Sequence, residues 1–297
     1  MKRTYSSQRA ETRMYVIFLI PAVVLLVILT AYPILSGMWH SLTNYHLARP
    51  AATTFIGIEN FRNLLTNREF FIVIRNTILF VIGAVSMQFV LGFAFALLLN
   101  RKMRFQGLVR TLLILPLAMT PVVVGLLWYL LYNPTSGLIN AILRTLGGPT
   151  PSWLGRPNLA MFSLIVSDGW HWTPFVMLLM LAGLQSIPKE LYEAAELDGA
   201  GRLRVFFQIT LPLVIPISGV VLLFRTMDAF KVFDKVFVLT GGGPGIATET
   251  LVFHAYQAGF AFFRIGYASA ISLIAFFIVL FAAVFIIRTT QDKDLSI

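Results

Sequence analysis

With 297 residues, 58% of them hydrophobic, 12% charged and a mean hydropathy of +0.81, the chain is too apolar for a soluble protein, which would carry about twice that charged fraction. It has no cysteine, which excludes disulfides, thiolate metal sites and cysteine nucleophiles. The net charge of +10 could suggest a nucleic-acid partner, but its distribution along the chain points to membrane orientation. Apolar stretches of roughly 20 residues recur evenly, each long enough to cross a ~30 Å hydrocarbon core. One polytopic helical membrane domain is therefore expected rather than two soluble ones.

In chain order, the basic segment Lys2, Arg3, Arg9, Arg13 precedes a first predicted span, Met14–Met38. That run is too long for a signal-peptide core and no clear small-residue cleavage site follows it, so it reads as a retained span. Residues 55–65 carry apolar positions at helical spacing and predict a short amphipathic helix on the outer surface. The second and third spans are Phe70–Leu99 and Val109–Tyr132. Asn133-Pro134 and Gly137 mark a turn before a second amphipathic helix at 138–143. The remaining spans are Leu159–Gln185, Leu211–Phe230 and Tyr267–Arg288. Pro116, Pro121 and Pro174 fall inside spans, where they would kink helices that neighbours can still support.

Lys and Arg are distributed unevenly. Lys2, Arg3, Arg9 and Arg13 share a side with Arg101, Lys102, Arg104 and Arg110, with Lys189, Arg202 and Arg204, and with Arg288 and Lys293. The other side has only Arg49, Arg62, Arg68, Arg144, Arg156 and Arg264, spread over longer loops. Positive-inside bias then places both termini and the 186–212 loop in the cytoplasm, as an even number of spans requires.

The 186–212 loop holds Glu193-Ala194-Ala195-Glu196-Leu197-Asp198-Gly199-Ala200, then Phe206, Ile209, Leu211-Pro212 and Pro216. Pro188 suits a first helical turn, Glu190, Glu193 and Glu196 suit the positive end of a helix dipole, and Gly199 and Gly201 suit a helix stop. Leu191, Ala194, Ala195 and Leu197 supply a small apolar contact surface between the acids. The pattern Glu-Ala-Ala, three residues, Gly, then Ile-x-Leu-Pro resembles the cytoplasmic coupling loop of permease subunits of binding-protein-dependent ABC importers. A second stretch, Phe230-x-x-Phe233-Asp234 with Leu239-Thr240-x-Gly242-Gly243-Pro244, resembles the carbohydrate-uptake branch of that family, related to maltose and glycerol-phosphate permeases. Thr248-x-x-Leu251 and Tyr256-x-x-x-Phe260 continue the likeness. By itself, the Gly-rich run reads as a flexible external turn.

The resemblance implies an all-α polytopic membrane protein of the type I ABC importer permease fold, with six transmembrane helices and both termini cytoplasmic. Residues 1–13 would be a cytoplasmic N-terminus, 14–289 the permease domain and 290–297 a cytoplasmic tail. It implies a second, non-identical homologous permease, two cytoplasmic ATPase subunits, an extracytoplasmic solute-binding protein and a sugar substrate, in a bacterial or archaeal inner membrane. Glu193, Ala194, Ala195, Glu196, Asp198 and Gly199 would couple to the ATPases. The chain lacks a Gly-x-x-x-x-Gly-Lys-[Ser/Thr] phosphate loop, so ATP and Mg would be used by those partners and no cofactor bound here.

Two intramembrane clusters are candidates for the substrate pathway. Asp168, His171, Trp172 and Phe175 share a helix face near mid-span, combining acceptors for sugar hydroxyls with flat aromatic surfaces. Arg225, Asp228, Lys231, Asp234 and Lys235 lie in or near the fifth span, and successive members three apart can pair along one helix face. By resemblance, the pathway would carry Asp168, His171, Trp172, Phe175, Met227, Phe230 and Lys231. An alternative is a proton-coupled secondary sugar carrier that uses Asp168 and His171 as a relay. His40, His46, His171 and His254 lack metal-ligand spacing, and no Gly-x-Ser-x-Gly elbow is present, so neither a metal site nor a hydrolase is expected. Basic residues are not interleaved with aromatics on a soluble face, which leaves nucleic-acid binding without support.

Overall fold

The structure, a computed structural model, describes residues 2–294 apart from Lys102, with side chains described at Tyr15, 18–101 and 103–290. The basic side chains of the N-terminal segment, Lys102 and Lys293 lie outside the described ones. So does most of the tail at 290–297. The described residues are helical, and their only β pairing is an isolated bridge between Thr43 and Phe55. In order, the helices are α1 (Lys2–Ser41), α2 (Glu59–Thr66), α3 (Arg68–Leu99), α4 (Gln106–Ile114), α5 (Pro121–Leu131), α6 (Leu138–Thr145), α7 (Pro157–Gln185), α8 (Lys189–Leu197), α9 (Arg202–Val205), α10 (Leu211–Ala229), α11 (Leu251–Tyr256) and α12 (Ile265–Asp294).

Five stretches are long and apolar enough to cross a membrane: Phe18–Ser41, Arg68–Leu99, Pro157–Gln185, Arg202–Ala229 and Ile265–Thr290. The third expected span departs from a simple kinked helix. Gln106–Ala118 and Pro121–Leu131 meet at 101°, so a sixth crossing exists only if this bent pair is one span. Pro121 causes the break, because the residue before a proline is pushed out of the helical region. Met119 and Thr120 are both extended, with ψ of 148° and 149°. The break frees the Met119 carbonyl, which accepts a hydrogen bond from His171 Nε2 at 3.0 Å. This is how a broken helix is tolerated in apolar surroundings.

The chain divides into two units. The first comprises residues 1–64 and 257–273. Here the Asn60 amide donates to the carbonyls of Ser41 and Thr43, each at 2.8 Å, Gly266 N–H donates to Tyr45 O at 2.9 Å and Leu47 N–H to Phe263 O at 2.8 Å. These bonds occupy backbone groups left open where α1 ends and α12 begins.

The second unit comprises residues 65–256 and 274–297, and α3 packing along α7 is its most extensive helix pairing. Two apolar clusters fill it. One gathers Phe80, Val81 and Ala84 of α3, Met161 and Leu164 of α7, Ala229, Phe230, Val236, Leu239 and Phe253. The other gathers Ala96 and Leu99 of α3, Val176, Met177, Met180 and Leu184 of α7, and Val214 and Val221 of α10. Small residues let the two long helices approach closely. A Cβ added at Gly92 would lie 2.7 Å from the Val176 Cβ and 3.0 Å from the Met177 backbone nitrogen, whereas one at Gly169 would meet only the movable Met87 side chain. Gly92→Ala should therefore destabilise the detergent-solubilised chain by about 1–3 kcal/mol, and Gly169→Ala by clearly less, as read from their thermal midpoints.

Candidate functional site

On each of three helices, a polar residue lying between the two clusters joins one shared network. These are Gln88 on α3, Asp168 on α7 and Arg225 on α10, all buried. The Gln88 amide donates to Asp168 Oδ2 at 2.7 Å, and Arg225 Nε donates to Gln88 Oε1 at 2.8 Å. Lys235, also buried, forms an ion pair with Asp168 Oδ1. Arg225 Nη1 reaches Asp228 at 2.6 Å, and Arg225 Nη2 lies 3.5 Å from Asp168 Oδ2. That last separation still gives attraction but no hydrogen bond, and Nη2 is left buried without a hydrogen-bond partner among the described residues. The guanidinium also sits over the Trp172 ring, 4.6 Å from its centre, a favourable placement for a desolvated cation. Two buried cations thus share one buried carboxylate, and half-exposed Asp228 supplies the balancing charge.

An open cavity adjoins this network. Asp168, Trp172, Arg225, Asp228, Lys231 and Lys235 line it, with Pro121, Phe233 and Asp234. Three acids and three bases offset one another in its wall, so the cavity is polar but nearly neutral.

The structure divides the residues that the sequence grouped together. Asp168, Trp172 and Lys231 line this cavity. His171 is buried beside the α4–α5 break, and Phe175 packs edge-on against Trp172 at 6.2 Å. Phe230 borders a separate apolar cavity with Ile78, Val81 and Thr226, and Met227 is partly buried on α10. The expected pairing ladder is formed only in part. Arg225 pairs with Asp228, but α10 ends at Ala229, so Lys231 and Asp234 are not on a continuing helix face. Neither makes an ion pair among the described residues. The sequence reading passed over Gln88, although a buried amide deep inside a 32-residue, largely apolar helix is itself a signal.

The Gly-rich segment is not the flexible external turn its composition suggests. It begins with a π turn at Val236–Thr240, closed by Gly241 at φ 59°. The Thr248 hydroxyl meets Thr240 Oγ1 at 2.7 Å and donates to Gly243 O at 2.8 Å. The Asn76 amide donates to Ile246 O at 2.7 Å, and Leu251 N–H donates to Thr77 Oγ1 at 2.9 Å. Thr248, Glu249 and Thr250 are buried. The segment folds back onto α3, and this delivers Lys235 to Asp168.

The loop between α7 and α10 presents a different surface. Pro188 is the N-cap of α8 rather than its first residue, and Glu190 lies in the first turn. After Asp198, Gly199 turns left-handed at φ 70°. Its N–H donates to Glu196 O at 3.0 Å, and Ala200 N–H donates to Ala195 O at 2.9 Å. This paired closure needs a residue that adopts positive φ without strain, hence glycine. Ala195 is only 9% exposed and faces inward, whereas Leu197 is 90% exposed. Leu191, Glu193, Ala194, Glu196 and Asp198 also lie on the surface. The outward face of α8 is thus apolar residues framed by acids.

Residues 88–297 match the family described as binding-protein-dependent transport system inner membrane component. Among individual proteins, the chain is 41% identical to the probable ABC transporter permease protein y4oQ of Sinorhizobium fredii, over 86% of this chain and 83% of that one. It is 39% identical to the trehalose/maltose transport system permease protein MalF of Thermococcus litoralis, over 91% of each. A solved relative is a chain from a bacterial ABC transporter involved in the import of the acidic polysaccharide alginate. It superposes with a TM-score of 0.83 over 98% of this chain and 99% of that one, at 23% identity. The fold is that of a type I ABC importer permease.

Removing the shared carboxylate should leave Lys235 and Arg225 buried and uncompensated. Asp168→Ala is expected to cost about 3–5 kcal/mol, and pairing Asp168→Leu with Lys235→Met should restore most of the loss. Thermal unfolding in detergent checks both. A single variant as stable as the parent would show that the network does not hold the unit together.

Proposed function

Because the chain belongs to the family of binding-protein-dependent transport system inner membrane components, we propose that it is the transmembrane subunit of an ATP-driven sugar importer. In this reading the chain pairs with a second, homologous permease in the inner membrane. Two ATPase subunits bind from the cytoplasm, and a solute-binding protein delivers sugar from outside. The single observation that carries the reading is α8. It is a short acid-framed helix between two spans, held in shape by Gly199, with Leu191, Ala194 and Leu197 directed outward. An exposed leucine framed by acids suits docking against another protein better than it suits lipid.

The substrate would pass beside the polar network. Trp172 offers a flat face for the apolar side of a sugar ring, half-exposed Asp228 an acceptor, and the orphaned Arg225 Nη2 a donor. A buried donor without a partner is costly, and a hydroxyl of bound sugar would satisfy it. The trehalose/maltose transport system permease among the relatives, 39% identical, supports the substrate class. ATP-driven closure of the ATPases would displace α8, and α7 and α10 would then reorient so that the cavity opens alternately to either side. The proton-relay alternative finds no geometric support. The carbonyl of Met119 can only accept, so His171 carries its proton on Nε2, and the bond goes to that carbonyl rather than to Asp168.

Uptake of labelled sugar by membrane vesicles carrying the assembled importer tests the proposal. It should cease on ATP depletion and persist with an uncoupler, and the reverse pattern would establish a secondary carrier. A photo-crosslinking side chain at Ala194 should capture an ATPase subunit, and Glu193→Lys should lower uptake at least tenfold while the complex still co-purifies.

A further inference from the structure

The covalent link from α8 to α10 is poorly suited to carry a push. Before reaching α9 it runs through Asp198, Gly199, Ala200 and Gly201, and an added Cβ at either glycine would meet nothing within 4 Å. Glycine leaves the chain freer to rotate than other residues do, so this link constrains α10 less than a packed side-chain contact would. A side-chain contact bypasses it. The Tyr192 hydroxyl of α8 lies 3.2 Å from the Thr210 hydroxyl, and the Tyr192 ring packs against the apolar cluster that contains Leu184, Ile187 and Val214.

Thr210 occupies a distinctive position. It is buried, and it closes the π turn Phe206–Thr210, in which Leu211 N–H donates back to Phe206 O. Such single-turn widenings often mark functional sites in helices. The turn is gripped from a second side, since the Phe206 ring lies 6.3 Å from that of Phe93 on α3. From there α10 runs to Ala229. Arg225 is 15 residues beyond Thr210, about 22 Å along the helix axis. One end of α10 therefore meets α8 through Tyr192, and the other end holds the polar network.

We propose that the Tyr192–Thr210 hydroxyl pair is the positioning contact through which a displacement of α8 moves α10, and thereby Arg225 and the cavity. This inference rests on the importer reading given above. Neither residue touches substrate, and the contact sets how much transport accompanies each ATP hydrolysed. Ala195, the other inward residue of α8, has no polar group with which to fix an angle.

The test uses the assembled importer, purified with its ATPase subunits and reconstituted with its binding protein in liposomes. The readout is the ratio of sugar imported to ATP hydrolysed. Tyr192→Phe and Thr210→Val should each keep hydrolysis within about twofold of the parent while lowering the ratio threefold or more. Two substitutions that break one contact are not additive, so the double variant should fall no further than either single. Thr210→Ser, which keeps the hydroxyl, should restore the ratio. An unchanged ratio in both single variants would overturn the proposal. So would multiplied losses in the double, parallel losses of hydrolysis and import, or failure of Thr210→Ser to rescue. If the parent complex imports sugar without hydrolysing ATP, it is the importer reading that fails.

Discussion

Asp168 is a carboxylate buried among largely apolar helices, and it persists there because groups from three elements pair with it. Gln88 donates from α3, Lys235 donates from the folded-back segment after α10, and Arg225 adds its charge from α10 itself. A lone carboxylate at such a site would be prohibitively costly, so its position requires the partners. The layer has a regular placement. On α3, α7 and α10 alike, the polar residue falls between one apolar cluster and the next. Apolar packing alone would tolerate sliding of one helix past another, because lipid is as apolar as leucine. A polar layer fixes the register, since a slip by one turn would break every bond in it.

The same layer forms the wall of the cavity. Arg225 uses its Nε and Nη1 in hydrogen bonds and lies over Trp172, and it lines the cavity while its Nη2 is left without a hydrogen-bond partner among the described residues. The residues that fix the helices are therefore also those a passing solute would meet. A change in how α10 sits against α7 would alter both the bonds and the space between them. At its other end α10 begins in a π turn that contacts α3 through Phe206 and α8 through Thr210. Its two ends thus lie at the two sites described above. The acid-framed helix is one, and the neutralised polar cavity is the other.

Much of this was legible from the sequence. Apolar runs located most of the spans to within a few residues, because a bilayer requires about 20 apolar residues of any helix, although the fifth begins nine residues earlier than expected, at Arg202. The acids, Gly199 and the prolines at 212 and 216 identified the loop, and its geometry follows from local rules that a sequence carries directly. The bend of the third span was legible only as a kink. Pro121 announces a break, but not its 101° angle or the bond that the freed Met119 carbonyl accepts from His171, 52 residues later. Composition misjudged the Gly-rich segment because its anchors, Asn76 and Thr77, lie about 170 residues earlier on α3. The ladder from Arg225 to Asp234 failed for a related reason. Spacing of three residues implies pairing only while the helix lasts, and this one ends at Ala229. Lys235 instead finds a partner 67 residues earlier, which no local pattern encodes.

Asp168 ties the folded-back segment to the helices, adding a buried charge pair to the anchors at Asn76 and Thr77. Amide hydrogen exchange on the detergent-solubilised chain, comparing the parent with Asp168→Asn, addresses it directly. A selective loss of protection across residues 232–251 is expected, with α8 and the paired ends of α3 and α7 little changed. Unaltered protection of that segment, or an equal loss across every helix, would contradict it.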